Sequence, residues 1–482
     1  MSIRKSKAFG PIVLLGAQYF TRVIGPLISL LLVRYLGPED YGLYASAIAV
    51  TSFLTFLPDF GLQQSVLKIS ASSNIRLNSL IKSSLYTSLL YTIITLIFLI
   101  SWLSIFQYEF TIKIIAYILS IAFFRIAFSK IITTLLQINR EYTRIAIWNL
   151  IITSIQWIAT LVCMVLKANL FTIVFWPQFL SLLISIIMFI VEGNKINLFN
   201  NLNPFKEKGE YKKLITNSLE FGTANSMYQM YHRSDAMILS ASRNPIEVGY
   251  YTVAFKIAEL IYFFAGVLFN QVLYPLFFKW SKHDRDKYFR FYRLLNKLMI
   301  LIGFFAAALV LLFSDEIVYI IYGSHEIFVS TLLTIMMFAV PFRFLVVSIG
   351  AILTTDNLVR KRIKIQSKVA VINIGSNALF VPIYGAVAAA ILMVITDVIL
   401  MIGYLFATNK HVTKKHISKR ILYQIPILLG LAGIAFYMSG FDLMYKVIAG
   451  AIIMIVFIFI GLFSLEKEEI TEIKSFFKTK GR

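Results

Sequence analysis

Cysteine is nearly missing from this chain. Among 482 residues there is one, Cys163, inside an apolar run. A single thiol excludes an intramolecular disulfide and a cysteine-rich metal site, and its surroundings read as those of a small buried hydrophobe. Charge is scarce too: only 15% of residues are Asp, Glu, Lys or Arg, against roughly 25% in soluble domains. Acidic residues are the scarcer sign, 24 against 46 basic ones. Histidines number five, and His232 and His325 are isolated. No metal-ligand cluster and no nucleotide-binding motif appears, so neither a metal nor a cofactor is expected.

What is present is apolar. Hydrophobic residues make up 59% of the chain, and the mean hydropathy is +0.78. No water-soluble fold hides that much apolar side chain. A helix crossing the hydrocarbon needs about 20 mostly apolar residues, and such stretches recur along the whole length. The net charge of +22 does not point to nucleic acid, because the basic residues sit in short clusters between apolar runs. Clusters of that kind are topology signals. The short basic start, Met1 to Lys7, precedes an apolar segment without a clear cleavage site, and reads as leading into a retained first span.

The pattern predicts an all-α polytopic membrane protein of about fourteen transmembrane helices. They fall near 8–33, 41–67, 83–103, 113–137, 145–166, 170–191, 214–241, 250–278, 294–313, 331–353, 366–382, 385–408, 421–438 and 444–464. Alternate connections are rich in Lys and Arg: Arg4-Lys5-Ser6-Lys7, 192–213, 279–293, Arg360-Lys361-Arg362 and 410–420. The opposite side carries only Arg34, Lys113, Lys167, Arg243 and Lys446. That asymmetry places both termini in the cytoplasm. The expected organisation is an N-lobe over 1–191, a cytoplasmic linker over 192–213, and a C-lobe over 214–408. A C-terminal helix pair (409–464) and a cytoplasmic tail (465–482) follow.

The halves resemble each other. Gln18-Tyr19-Phe20-Thr21-Arg22 in the first span parallels Gln229-Met230-Tyr231-His232-Arg233 in the seventh. Each is followed by a Pro-containing turn, Gly37-Pro38-Glu39-Asp40-Tyr41-Gly42 in one and Asn244-Pro245-Ile246-Glu247-Val248-Gly249 in the other. Both copies begin on the same side, which makes the repeat parallel. Repeats of this kind build two six-helix lobes around a central cavity.

Ionisable residues inside spans are the remaining signal, since each costs at least about 2.5–3.5 kcal/mol on insertion scales. The cations are Arg22, Arg125, Arg233, Lys256 and Arg343, joined by Lys130; Lys297 lies near a span end and reads as snorkelling to the interface. Gln18, Arg22, Gly25 and Ser29 share one face of the first span. Gly222, Asn225, Gln229 and Arg233 do so in the seventh. Lipid cannot satisfy such faces, so they meet each other or line water. Guanidinium groups facing a cavity suit an anionic substrate. That makes Arg22, Arg125, Arg233, Lys256, Arg343, Gln18 and Gln229 candidate substrate ligands. Asp59, within Leu57-Pro58-Asp59-Phe60-Gly61 where Pro and Gly predict a broken helix, is a candidate for ion coupling. So are Glu220, Asp235, Glu259 and Asp397, since burial raises a carboxyl pKa. A structural alternative stands beside each residue. Lys256 and Glu259 neutralise each other at i, i+3, Arg233 and Asp235 pair with neighbouring helices, and Arg125 ties two spans together. Each acid equally serves as a counter-ion.

Leu36-Gly37-Pro38-Glu39-Asp40-Tyr41-Gly42-Leu43-Tyr44-Ala45 and Asp59-Phe60-Gly61-Leu62 resemble the N-terminal part of polysaccharide repeat-unit flippases. These are the O-antigen and capsule (Wzx-type) translocases of the multidrug/oligosaccharidyl-lipid/polysaccharide exporter superfamily. Gly249-Tyr250-Tyr251-Thr252-Val253-Ala254 and Val381-Pro382-Ile383-Tyr384-Gly385-Ala386 extend the resemblance. It implies translocation of undecaprenyl-diphosphate-linked oligosaccharide across the bacterial cytoplasmic (inner) membrane by alternating access. It also implies H+ or Na+ coupling, membrane lipid around the protein, and polymerase or assembly proteins as partners. The five cations would attract the diphosphate or acidic sugars, and Tyr19, Tyr228 and Tyr231 would stack on sugars or simply pack. The last helix pair resembles that of the lipid II flippase branch. Two other readings remain. A multidrug/cation antiporter of the same superfamily needs an acidic cavity, whereas mid-span cations predominate here. A membrane polysaccharide polymerase usually carries a sizeable extracytoplasmic loop, and none is present.

Overall fold

The computed structural model describes residues 3–72, 77–195, 198, 208–267, 285–355, 358–408 and 419–464. Most of the linker, the basic connections at 279–284 and 410–418, and the tail 465–482 lie outside these residues. The described residues are helical apart from short turns, without strand.

Helix α1 (Ile3–Leu54) is a double-length run broken at Gly37, whose φ of 75° and ψ of 175° leave helical space. The residue before a proline is disfavoured in the α conformation, and glycine alone adopts that φ without strain. Pro38 then starts the second half, where its missing N–H costs nothing. The turn over 55–61 interrupts the next expected span where Pro58 and Gly61 predict it, and α2 (Leu62–Ser72) resumes the chain. Then come α3 (Leu77–Ile105), α4 (Phe110–Leu119), α5 (Ile121–Ile138), α6 (Tyr142–Val165) and α7 (Leu170–Lys195). The second repeat opens with α8 (Lys208–Ser242) and α9 (Pro245–Val267). Here Asn244 caps α9, its Oδ1 accepting the Ile246 N–H at 2.7 Å, and Pro245 takes the first helical position. The two copies of the Pro turn therefore end one helical segment and begin another in the same way.

Beyond 285 lie α10 (Arg285–Leu312), α11 (Ser314–Tyr322), α12 (Ile327–Met337) and α13 (Val340–Thr355). Then follow α14 (Val359–Thr408), α15 (Lys419–Met438) and α16 (Leu443–Ser464). Helix α14 is the other double-length run, broken at Gly385 (φ 64°, ψ −145°) three residues after Pro382, between two expected spans.

Among the described residues, nine stretches are long and apolar enough to cross a membrane. Two of them, Val13–Leu54 and Val359–Thr408, hold 42 and 50 residues, each about twice what one crossing needs. A count of fourteen crossings takes each of these as two and adds α8, α9 and α15.

The packing is that of a protein whose solvent is lipid. Helix α3 turns Ile93, Ile94, Ile97 and Ile100 outward and buries Ser84, Thr87, Ser88, Thr92 and Thr95. The buried hydroxyls donate to carbonyls one turn back, as Thr92 does to Ser88 at 2.8 Å, or to a neighbouring segment, as Ser88 does to Pro58 at 2.7 Å. Small and hydroxylated residues inside with large aliphatics outside are what close helix packing in a bilayer requires. Helix α7 repeats the pattern, with Ser181 and Ser185 buried and Leu183, Ile187 and Ile190 exposed.

Contacts group the chain into two compact units, Met1–Gly249 and Tyr250–Arg482. In the first, α1 packs on α4, α6 and α8, and α8 also packs on α2. Helix α8 and the start of α9 are each held there at a point where backbones nearly touch. A Cβ at Gly61 would lie 2.4 Å from the Gly222 nitrogen, and one at Gly42 would lie 2.5 Å from the Pro245 oxygen. Gly249 meets Gly42 itself, with a Cβ built on it 3.1 Å from the Gly42 Cα. These two glycines follow the two Pro-containing turns compared in the sequence.

In the second unit α10 packs on α13, α15 and α16. Lysines hold α16 at both ends. Lys446 reaches Glu316 of α11 at 2.7 Å, and Lys297 of α10 donates to the Ser464 carbonyl, also at 2.7 Å. The snorkelling reading of Lys297 is thereby corrected. The side chain is fully buried, and its ammonium donates to a backbone carbonyl of α16 instead of reaching the interface.

Candidate functional site

Three helices of the first unit each contribute a pair of polar residues one turn apart, and together these pairs line one cavity. Gln18 and Thr21 come from α1, Arg125 and Ser129 from α5, and Asn149 and Thr153 from α6. The cavity measures about 180 Å³, and Leu14, Ala17 and Ile152 complete its wall. Spacings of three and four put each pair on one helix face. The break at Ser120 between α4 and α5 starts the helix that carries Arg125.

Arg125 has no ion pair among the described residues, and its Nε is buried without a hydrogen-bond partner. A guanidinium carries five donors, and a buried donor left unmade costs about 1–3 kcal/mol. The hydroxyls around it face the other way. Thr153 donates to the Asn149 carbonyl at 2.6 Å, Thr21 to that of Gln18 at 2.9 Å, and Ser129 to that of Ile126 at 3.4 Å. Their oxygens therefore present lone pairs to the cavity. One fixed cation, two amides and three acceptor hydroxyls make up the polar lining.

The other sequence-predicted residues are distributed around this cavity rather than gathered in it. Arg22 is exposed on α1 one turn beyond Gln18. Asp59 accepts the Gln63 N–H at 3.3 Å and so caps α2; Lys130 lies nearby, bonded to the Gln63 side chain at 3.3 Å. On α8, Glu220 is exposed, Gln229 and Arg233 are half-buried, and Asp235 is buried with its Oδ1 on the Ala236 N–H at 2.8 Å. Tyr231 is buried among its neighbours. The side chains of Asn225 and Tyr228 fall outside the described residues.

In the second unit Lys256 and Glu259 are half-buried on α9. Arg343 of α13 and Asp397 of α14 meet, with 3.2 Å between Nε and Oδ2 and relative exposures of 9% and 1%. The guanidinium also lies 5.3 Å from the ring centre of Tyr262 on α9. A candidate substrate cation and a candidate coupling acid are thus each other's counter-ions. The contact is made by proximity rather than by an aligned hydrogen bond, since the Asp397 oxygens make none.

Thr21, Ser129, Asn149 and Thr153 were not singled out from the sequence. Asn149 and Thr153, four apart in the apolar run Trp148-Asn149-Leu150-Ile151-Ile152-Thr153, carry the signal that would have found them. Polar residues at i, i+4 inside a span deserve the same reading as charged ones. Among the described residues no group of His, Cys, Asp and Glu has the makings of a metal site.

A family model described as polysaccharide biosynthesis protein matches residues 31–330. The chain belongs to this family. The chain is similar in fold to solved membrane transporters. The structure titled lipid II flippase MurJ, in an inward closed conformation, superposes with a TM-score of 0.73 at 17% identity, over 92% of this chain and 98% of that one. An inward-facing multidrug-resistance MATE transporter of the MOP superfamily gives 0.60 at 15% identity, over 81% and 97%. An outward-facing MATE structure gives 0.50 at 13% identity, over 83% and 93%. No curated protein sequence matches the chain. The family resemblance is borne out as membership of a polysaccharide biosynthesis family, the fold is shared with solved flippase and MATE structures, and the protein is an all-α, multi-pass membrane protein.

Proposed function

We propose that this family member is a flippase. It carries undecaprenyl-diphosphate-linked oligosaccharide repeat units, of O-antigen or capsule, from the cytoplasmic to the outer leaflet of the bacterial cytoplasmic membrane. It does so in fourteen crossings with both termini inside, by alternating access coupled to an H+ or Na+ gradient. Arg22, Arg125 and Arg233, with Gln18 and Gln229, attract the anionic head group. Arg343 contributes less, because Asp397 offsets its charge. Asp59, Glu220, Asp235, Glu259 and Asp397 are the coupling candidates.

One observation carries the reading. A chain of a polysaccharide biosynthesis family is folded like a lipid II flippase over nearly its whole length. A saccharide on a lipid carrier is the cargo that both halves of that statement share. The second reading, a multidrug/cation antiporter, has the MATE fold in its favour. Against it stands Arg125, a cation without a counter-ion among the described residues, at a cavity where a cationic drug would be repelled.

Depleting the protein in its own cells tests the proposal. Lipid-linked repeat units are expected to accumulate, and in spheroplasts their sugars should resist a membrane-impermeant oxidant such as periodate. Units that remain open to the oxidant after depletion would remove the translocation step from this protein.

A further inference from the structure

Among the described residues, Arg125 is the one positive charge lining its cavity. A diphosphate carries more negative charge than one guanidinium neutralises, and Arg22, the nearest other cation on α1, does not line the space. A single carboxylate matches a single guanidinium, which it accepts in a planar two-bond fork. The remaining lining is also wrong for a bare anion. Thr21, Ser129 and Thr153 donate to their own helix backbones and offer acceptor lone pairs, which repel an anion and attract hydroxyl protons. The amides of Gln18 and Asn149 donate and accept at once. A ligand satisfying this set has several hydroxyls and one negative charge. The size agrees: about 180 Å³ lies below the roughly 300–1,000 Å³ of pockets that enclose drug-sized ligands, which leaves room for one ring.

We infer that the cavity between α1, α5 and α6 is a subsite for one acidic sugar, a pyranose whose carboxylate pairs with Arg125 while its hydroxyls meet Gln18, Thr21, Ser129, Asn149 and Thr153. The inference rests on the flippase reading for the origin of that sugar, the head group of the carried lipid. It assigns the diphosphate to cations outside this cavity.

The test uses the full-length protein in nanodiscs and saturation-transfer NMR, which detects weak ligands. The probes are methyl glucuronide, methyl glucoside and inorganic pyrophosphate. Wild-type protein is expected to bind the glucuronide at least tenfold more tightly than the glucoside, with no displacement by pyrophosphate. Arg125→Gln should erase that preference, Arg125→Lys should keep part of it, and Asn149→Ala should weaken both sugars by a similar factor. Equal binding of the two sugars by wild-type protein, displacement by pyrophosphate, or no binding of either sugar would overturn the subsite; these need no variant to fold. A preference that survives in Arg125→Gln would overturn it as well. The flippase reading fails separately. Diphosphate-linked units with uncharged sugars crossing in wild-type vesicles uphold it whatever the glucuronide does. Glucuronide binding without any lipid translocation leaves the subsite standing and removes the flippase.

Discussion

Gly61→Ala is expected to destabilise the protein by about 2–5 kcal/mol, combining a left-handed backbone penalty of about 1–2 kcal/mol with the about 1–3 kcal/mol of overpacking. Gly61 has a φ of 77°, and a Cβ there would lie 2.4 Å from the Gly222 nitrogen and 2.5 Å from the Ser218 oxygen. Both obstacles are backbone, so no side chain can swing away. The segment must part from α8, breaking the bond from the Ser218 hydroxyl to the Phe60 carbonyl at 2.7 Å and straining that from Ser65 to Leu214 at 2.8 Å. Gly42→Ala meets a similar obstacle in the Pro245 carbonyl. The control is Gly16→Ala, where a Cβ meets nothing within 4 Å and alanine gains about 1 kcal/mol of helix propensity. Melting in detergent, followed by size-exclusion chromatography, should place Gly61→Ala and Gly42→Ala well below wild type and Gly16→Ala at or above it. Equal melting of all three would contradict the backbone contacts.

Breaking the Arg343–Asp397 pair should have a comparable effect for an electrostatic reason. Removing one partner of a buried pair leaves an uncompensated charge and costs about 3–5 kcal/mol, whereas replacing both by apolar residues is often neutral. Arg343→Met alone and Asp397→Leu alone are each expected to melt far below wild type. The double variant should regain most of the loss. The cation–π contact to Tyr262 is lost wherever Arg343 is replaced, in the single and in the double variant. The rescued double variant also examines ion coupling. If Asp397 carries the coupling ion, that variant folds but translocates without response to the gradient. A double variant as unstable as the singles would show that the two charges do not depend on each other.

The helices themselves were legible because bilayer thickness and apolar composition constrain them so tightly. Gly37 and Gly385 divide double-length helices within a few residues of where charge alternation and Pro-Gly spacing separate the expected spans. Asp59 shows where that reading stops. Proline and glycine announced the broken helix around it, but the carboxylate's engagement with the Gln63 amide depends on how the turn closes. Arg343 and Asp397 lie far apart in sequence on different helices, and one-dimensional periodicity does not report such a meeting. Lys297 misled by its position: nearness to a span end implied an interfacial head group, while Ser464 of α16, remote in the chain, supplied a buried carbonyl. The cavity was half legible. Charge drew attention to Arg125 and helix-face periodicity to Gln18, while the neutral pair Asn149 and Thr153 carried its signal in i, i+4 spacing rather than in charge.

The most direct test of the transport claim is leaflet exchange in proteoliposomes holding the purified full-length protein and a diphosphate-linked oligosaccharide lipid. Lipid labelled in the inner leaflet should appear at the outer surface, become accessible to an impermeant oxidant, and do so faster under an imposed ion gradient, while a cationic dye is not moved. Dye transport with no movement of the lipid would contradict the flippase account and favour the antiporter.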